Sequence, residues 1–351
     1  MRTLPADGPI VLAVLYPTAW MGGDAAIAEV AATLEAIDPR IEVLVETYEE
    51  GQYQRTLRGS PEGTEEARST APELTDAQRG MFGRVHGVIA IDLPFDIGTL
   101  APDLAWVQGV GAGTAQLETA GLADAGILLT SAAGTNAVGI AEFVVGRIIE
   151  ERKRFPQMHE SQQRHAWEPQ YGVELAGTTM GLIGYGAINA NVARRLAAFD
   201  VTLIACRRST TPVPELAALY PTERLHEMLG RCDTVIAAVP ETPETIGMMD
   251  AAAFAAMTPG SFFVNVGRGT LVDEPALIDA LAHGHLRGAA LDVASQEPLP
   301  PDHPLWDAPN LTMSYHCSTS PGAMAGNLHR LWADNVRRWV AGEELVNVVG
   351  G

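Results

Sequence analysis

The stretch Thr179-Met180-Gly181-Leu182-Ile183-Gly184-Tyr185-Gly186-Ala187-Ile188-Asn189 decides the fold. Five strand-forming residues run into a glycine turn, and an apolar-periodic helix is predicted from it over residues 192–198. A GxGxx turn between strand and helix lets backbone approach closely. It aims N–H groups and the positive end of a helix at a pyrophosphate, so Gly184, Gly186, Ala187 and Ile188 are candidate cofactor contacts. The third glycine of the usual pattern is replaced by Asn189, which predicts a slightly splayed helix–strand contact. A second strand is expected over 201–205, ending at Cys206-Arg207-Arg208-Ser209. That end lies 22 positions after Gly184 (206 − 184), where an NAD-specific fold places an acidic residue for the ribose 2′-hydroxyl. Two arginines and a hydroxyl stand there instead. Arg207, Arg208 and Ser209 suit a 2′-phosphate, so NADP(H) is expected in preference to NAD(H), which stays as the alternative.

Downstream, three more apolar strands each end in a polar group. Phe262-Phe263-Val264-Asn265-Val266-Gly267-Arg268 delivers an arginine. The segment Ala289-Ala290-Leu291-Asp292-Val293-Ala294-Ser295-Gln296-Glu297 delivers two carboxylates, and Leu311-Thr312-Met313-Ser314-Tyr315-His316 a histidine. Parallel α/β sheets bind ligands beyond the carboxyl ends of their strands. Singly, each residue reads as an ordinary turn residue. Together, Arg268, Glu297 and His316 make a candidate catalytic set.

Upstream, short apolar runs alternate with helical patterns: strands over 10–15, 41–46, 88–91 and 106–110, and a helix over 23–36. Residues 51–75 are polar and rich in Gly, Pro and Glu, and are expected to be a loop insertion ending at a helix cap. One long helix is expected over 136–155, and a last one over 323–340. The fold class is therefore α/β, with two Rossmann-like or flavodoxin-like lobes of parallel sheet and an active site in the cleft between them. Residues 1–137 plus 321–351 would form a substrate-binding lobe, and 138–320 a dinucleotide-binding lobe.

Composition sets the outer bounds. The 351 residues carry 23 basic and 43 acidic side chains, a net charge of −20. A field of that sign repels phosphodiester backbones and anionic lipid, so neither nucleic acid nor membrane is an expected partner. With 47% hydrophobic residues and a mean hydropathy of +0.07, the chain can build ordinary cores. The opening apolar run is too short for a signal-peptide core, which makes a cytoplasmic location the expectation. Cys206, Cys232 and Cys317 are odd in number and form no CxxC pair, and His283-Gly284-His285 reads as a helix-ending turn after a helix over 275–282. No metal site is expected.

With these segments in view, the chain resembles the D-isomer-specific 2-hydroxyacid dehydrogenases over roughly residues 104–348. The likeness is carried by the turn at 184–189, by Val239-Pro240-Glu241-Thr242-Pro243-Glu244-Thr245, and by the segment 265–273. Pro304-Leu305-Trp306-Asp307-Ala308-Pro309-Asn310 and the Cys206-Arg207-Arg208-Ser209 turn look most like the NADP-dependent glyoxylate/hydroxypyruvate reductase branch. The resemblance implies that Arg268 grips the substrate carboxylate and polarises its carbonyl, that His316 is the acid/base, and that Glu297 hydrogen-bonds it. It places Asp292 by the nicotinamide carboxamide. Val239, Pro240, Thr245, Val266 and Gly267 become further cofactor contacts. Backbone N–H groups of Val110, Gly111, Ala112 and Gly113 become the hold on the substrate carboxylate.

It also implies a homodimer formed through the nucleotide lobes. The activity expected is reduction of a small 2-oxo acid to the D-2-hydroxy acid. Delivery of hydride to the carbonyl carbon builds negative charge on oxygen, which a guanidinium stabilises and a protonated imidazole quenches. Two rivals share the scaffold: formate or phosphite oxidation, and a dinucleotide-sensing, corepressor-like regulator. The formate enzymes pair the histidine with glutamine where Glu297 stands here, and the phosphite enzymes carry a lysine in the substrate loop.

Departures from the family pattern are Asn189, Asp200 for a glycine before the second nucleotide strand, and Cys317-Ser318-Thr319-Ser320 after His316. Cys317 is expected to be packing filler, and Trp167 and Trp306 to be core residues.

Overall fold

The computed structural model describes residues 4–5, 7–15, 23–58, 63–209 and 211–349. The chain divides into two compact units, Met1–Thr135 with Gly322–Gly351, and Asn136–Pro321.

The first unit is built on five parallel strands, β1 (Ile10–Val14), β2 (Ile41–Val45), β3 (Gly87–Ala90), β4 (Trp106–Gly109) and β5 (Leu128–Thr130). They lie in the order β2-β1-β3-β4-β5, the flavodoxin-like winding. Strand β1 is buried at all five positions because the sheet is covered on both faces. Ile10, Leu12 and Val14 point into one apolar cluster, with Trp106 and with Trp332, Val336 and Trp339 of the final helix, Pro321–Ala341. Val11 and Ala13 point into the other cluster, with Met81, Phe82 and Val88. The last helix thus belongs with the first strand.

The 51–75 segment corrects the sequence reading. Within it stand two helices, Gln52–Arg58 and Thr64–Ser69. Their sequences lack an apolar stripe but are made of ordinary helix formers, and ion pairs tie them down in place of apolar burial. Thr75 does cap the next helix, Asp76–Phe82, in a capping box with Gln78.

The second unit carries seven parallel strands: β6 (Thr179–Ile183), β7 (Thr202–Cys206), β8 (Ala218–Tyr220), β9 (Thr234–Ala237), β10 (Ser261–Asn265), β11 (Leu286–Leu291) and β12 (Leu311–Met313). Their order is β12-β11-β10-β9-β6-β7-β8, doubly wound with its switch point between β6 and β9. The helix expected over 136–155 stops earlier, at Ala137–Arg152, and a second begins at Phe155–Gln163. Pro156 has no N–H to give the Arg152 carbonyl, which accepts from Val173 N at 2.9 Å instead, and Arg154 turns left-handed (φ 59°). Asp200 also adopts the left-handed conformation (φ 53°), standing where a glycine is customary.

Candidate active site

The glycine turn after β6 sits at the switch point. Gly184 is left-handed (φ 79°), and a Cβ there would lie 2.6 Å from Val239 Cγ1. The following helix, Ala187–Leu196, starts five residues earlier than its apolar pattern suggested, because Gly186 itself is the N-cap. No side chain caps it, so its first N–H groups are presented to a ligand. Asn189 fills the third glycine position in a way the sequence did not foretell. It is fully buried, and its Nδ2 donates to the carbonyls of Ile183 (3.1 Å) and Gly184 (2.7 Å), tying the helix to the strand end. Hydrogen bonds bridge the space where splaying was expected.

Beside this turn lies a pocket of about 670 Å³, lined among others by Gly184, Arg207, Arg208, Val239, Pro240 and Thr245. Arg207 Nη2 donates to Thr211 O, while its Nε is buried without a partner among the described residues. Arg208 is exposed and makes no hydrogen bond or ion pair among the described residues. Ser209 Oγ lies 3.1 Å from Thr211 Oγ1. The Thr245 hydroxyl closes the loop after β9, donating to Pro240 O (2.8 Å) and accepting from Thr242 N (2.8 Å). Glu223 and Glu244 also line the pocket. Counting along one strand could not reveal them, since they arrive from other loops.

Arg268, Glu297 and His316 meet at the ends of β10, β11 and β12. His316 Nδ1 is 2.7 Å from Glu297 Oε2, whose other oxygen accepts from Ala294 N at 3.0 Å. The hydrogen bond to Glu297 raises the His316 pKa above the ordinary histidine range, against the opposing effect of burial. Burial pushes Glu297 up, but the bonds from His316 and Ala294 outweigh it and leave the carboxyl low. Glu297 is therefore the acceptor, His316 Nδ1–H the donor, and Nε2 has no partner among the described residues. The charge of Arg268 acts on both neighbours, lowering each.

Close backbone packing joins these loops. A Cβ on Gly269 would lie 1.9 Å from the Ala294 carbonyl carbon, so only glycine allows the Arg268 turn to touch the strand of chain leading to Glu297. Gly267 likewise has no room for a side chain, its ideal Cβ lying 2.8 Å from Val239 O. Val266 is buried and donates to Ala237 O. Glu274, which the sequence reading passed over, accepts from Ser295 N (2.7 Å) and Ser295 Oγ (2.8 Å) and fixes the same loop.

Asp292 does something the motif alone did not disclose. It is buried, and its Oδ1 accepts from Ser314 Oγ (2.7 Å), Cys317 N (3.0 Å) and Ser318 N (3.1 Å). Its Oδ2 accepts from Ser318 Oγ. The turn so held contains two successive left-handed residues, Tyr315 (φ 54°) and His316 (φ 56°). Each costs roughly 1–2 kcal/mol, which the bonds to the Asp292 carboxylate offset. The departure from the family pattern at Ser318 adds a side-chain donor, its hydroxyl, to the backbone N–H groups of residues 317 and 318.

Cys317 is exposed, with Sγ donating to Ser314 O, so it is not packing filler. Nor are the tryptophans core residues. Trp167 is 99% exposed, and Trp306 is 43% exposed, bonded to Pro300 O and packed on Tyr315. In the first unit, Val110 N is engaged by Ala90 O (3.1 Å), whereas the N–H groups of Gly111, Ala112 and Gly113 have no acceptor among the described residues. His285 bonds the carbonyls of Phe254 and Met257, and among the described residues no cluster of three His, Cys, Asp or Glu side chains is arranged around a metal position.

A doubly wound sheet with this turn at its switch point is the architecture of a dinucleotide-binding α/β protein. Residues 145–318 match the NAD binding domain of the D-isomer specific 2-hydroxyacid dehydrogenases. The chain is 32% identical over 254 residues to glyoxylate reductase of Thermofilum pendens, covering 69% of this chain and 74% of that one. It is 33% identical over 256 residues to D-3-phosphoglycerate dehydrogenase of Mycobacterium tuberculosis, covering 72% of this chain and 48% of that one. It therefore spans about half the length of those phosphoglycerate dehydrogenases. Among solved structures, a D-isomer specific 2-hydroxyacid dehydrogenase from Xanthobacter autotrophicus Py2, in complex with NADPH and MES, superposes with a TM-score of 0.76. Identity there is 25%, with 98% of each chain covered. The chain belongs to the D-isomer-specific 2-hydroxyacid dehydrogenase family. No helix among the described residues is long and apolar enough to cross a membrane.

Proposed function

We propose that this chain reduces a small 2-oxo acid of the glyoxylate or hydroxypyruvate kind to the D-2-hydroxy acid, with NADP(H) preferred over NAD(H). The observation that carries the reading is the 2.7 Å His316–Glu297 pair, which shifts the imidazole toward its charged form and leaves Nε2 without a partner among the described residues. The nicotinamide would supply hydride. Its nucleotide would rest on the 184–188 turn and the loops bearing Val239, Pro240, Thr245, Val266 and Gly267. Arg208 and the Nε of Arg207, both without a partner among the described residues, suit a 2′-phosphate with Ser209 beside them. The solved relative's complex with NADPH supports the same choice.

His316 gives its proton from Nε2 to the oxygen on which negative charge builds, and Glu297 stabilises the imidazolium before that transfer. Arg268 binds the carboxylate and steadies the same developing charge. The N–H groups of Gly111, Ala112 and Gly113 hold that carboxylate, with Val110 setting the turn. Asp292, by fixing the turn that carries His316, sets the imidazole's aim, and its place beside the nicotinamide carboxamide follows from the family resemblance.

Absorbance of NADPH at fixed enzyme, across a panel of 2-oxo acids, tests the reaction. Turnover of glyoxylate or hydroxypyruvate is expected, and inactivity across the panel would favour a dinucleotide-sensing regulator. A homodimer is part of the same reading. Trp167 and Tyr171 stand exposed, as do Phe155 and Met158 earlier in the same stretch of chain, and these large apolar side chains would gain burial at an interface between copies. Sedimentation velocity reads that directly. Buried, unpaired Cys206 and Cys232 fit a reducing compartment, the cytoplasm.

A further inference from the structure

The carboxyl-terminal edge of the first unit's sheet is where a ligand of that unit would lie. The described segments leaving its strands there, residues 46–51, 91–96, 110–114 and 131–135, contain no Arg, Lys or His. The cations near that edge come from the two helices of the 51–75 segment, and each is already matched. Arg58 is buried with Glu50 at 2.6 Å, both side chains about 1% exposed. Its other Nη N–H groups reach Leu93 O (2.8 Å), Gln116 O (3.1 Å) and Thr119 Oγ1 (3.2 Å), and its guanidinium lies 3.7 Å from the Phe95 ring centre. Arg55 holds Asp92 through Nη2 (2.7 Å) and Nε (2.9 Å), and has Glu49 at 3.7 Å. Arg68 is bonded to Asp96. Three arginines thus face four carboxylates, Glu49, Glu50, Asp92 and Asp96, and the balance at this edge is negative.

This matters because of what lies next door. Strand β3, which leads to Asp92, is the immediate neighbour of β4, which leads to Gly111–Gly113, about 5 Å away. Gln116 Nε2 also binds Ile91 O, linking the two loops. Along this edge, a second anionic group on a substrate held by its carboxylate would meet fixed negative charge and no uncommitted cation among the first unit's described residues.

We infer that the substrate carries one negative charge only, and that Arg55–Asp92 and Arg58–Glu50 form a charge-closed wall that rejects phosphorylated and dicarboxylic 2-oxo acids. The inference rests on the 2-oxo acid reading above and narrows it. It separates this chain from the phosphoglycerate dehydrogenases it matches at 33% identity. Like-charge placement without compensation is a strong discriminator.

The test compares kcat/KM for hydroxypyruvate, 3-phosphohydroxypyruvate and 2-oxoglutarate with NADPH. The two acids with a second anionic group are expected at least about 100-fold below hydroxypyruvate. Asp92→Asn, which releases Arg55, is expected to raise the phosphorylated-to-unphosphorylated ratio about tenfold, and Glu49→Gln, at a half-exposed site, about threefold. Equal or faster turnover of the phosphorylated acid overturns the inference, as does a ratio unmoved in both variants. Calorimetry on the NADP-loaded protein reads the same discrimination without turnover. Tighter binding of 3-phosphoglycerate than of D-glycerate would sink the charge argument, whereas the expected order with no reduction of any acid would sink only the reaction.

Discussion

Both units gather arginines near the carboxyl ends of parallel strands, and they use them in opposite ways. In the first unit Arg55, Arg58 and Arg68 are each closed on a carboxylate of the same unit, so their charge braces loops. In the second, Arg268 binds only the adjacent Gly267 carbonyl and Arg208 nothing among the described residues, so their charge remains on offer. One residue type therefore serves as a fastener in one sheet and as a receptor in the other. Burial accounts for two of the fasteners, Arg58 (1% exposed) and Arg55 (14%), since a guanidinium deep in protein needs an anionic partner; Arg68, 47% exposed, is paired at the surface.

Substitutions should separate the two uses. The largest effect is expected in the second unit: His316→Ala should lower kcat at least about 100-fold in a steady-state assay while the urea midpoint barely moves. Next comes Arg58→Met, which strands Glu50 as a buried, uncompensated charge. About 3–5 kcal/mol of stability should be lost in urea titrations followed by tryptophan fluorescence, so a stable variant would mean the first unit's arginines brace nothing. Arg208→Ala is expected to be milder, about tenfold lower kcat/KM for NADPH with NADH unchanged. A parallel loss with both cofactors would deny Arg208 any part in reading the 2′-phosphate.

The smallest effect is expected from Glu297→Gln. Because Glu297 raises the His316 pKa, removing its charge should move the alkaline fall of the reduction profile to lower pH, with little change in acid, where the imidazole is protonated anyway. An unshifted profile would limit Glu297 to orienting the ring.

The nucleotide strand–turn–helix was legible because its signal is local: β6 falls at Thr179–Ile183 as its pattern indicates, and the glycines are required by backbone approaches a few ångströms away. The three strand-end groups were legible as separate polar stations, since a parallel sheet brings such ends to one edge. What escaped was fixed by partners distant in sequence. The 51–75 segment looks like loop because its helices have no apolar face, and the carboxylates that anchor them, Glu50 and Asp92, are indistinguishable in sequence from solvated acids. Asp292 gave no sign that it would hold 314–318, because its bonds go to backbone N–H groups and serine hydroxyls. Trp167 and Cys317 misled for the opposite reason: their types favour burial, and only the tertiary course of the chain exposes them.

The packing of Trp332 and Trp339 against Ile10 and Leu12 has a consequence for biosynthesis. A ribosome makes the first five strands long before the helix that covers one of their faces, and the second unit is synthesised whole in between. The later-made unit is accordingly expected to mature first, with the earlier one waiting, half covered, for the chain's final turns. Limited proteolysis of chains stalled after residue 320 should find the Asn136–Pro321 body resistant and the preceding 135 residues cleavable; equal resistance in both would show that the sheet closes without its last helix.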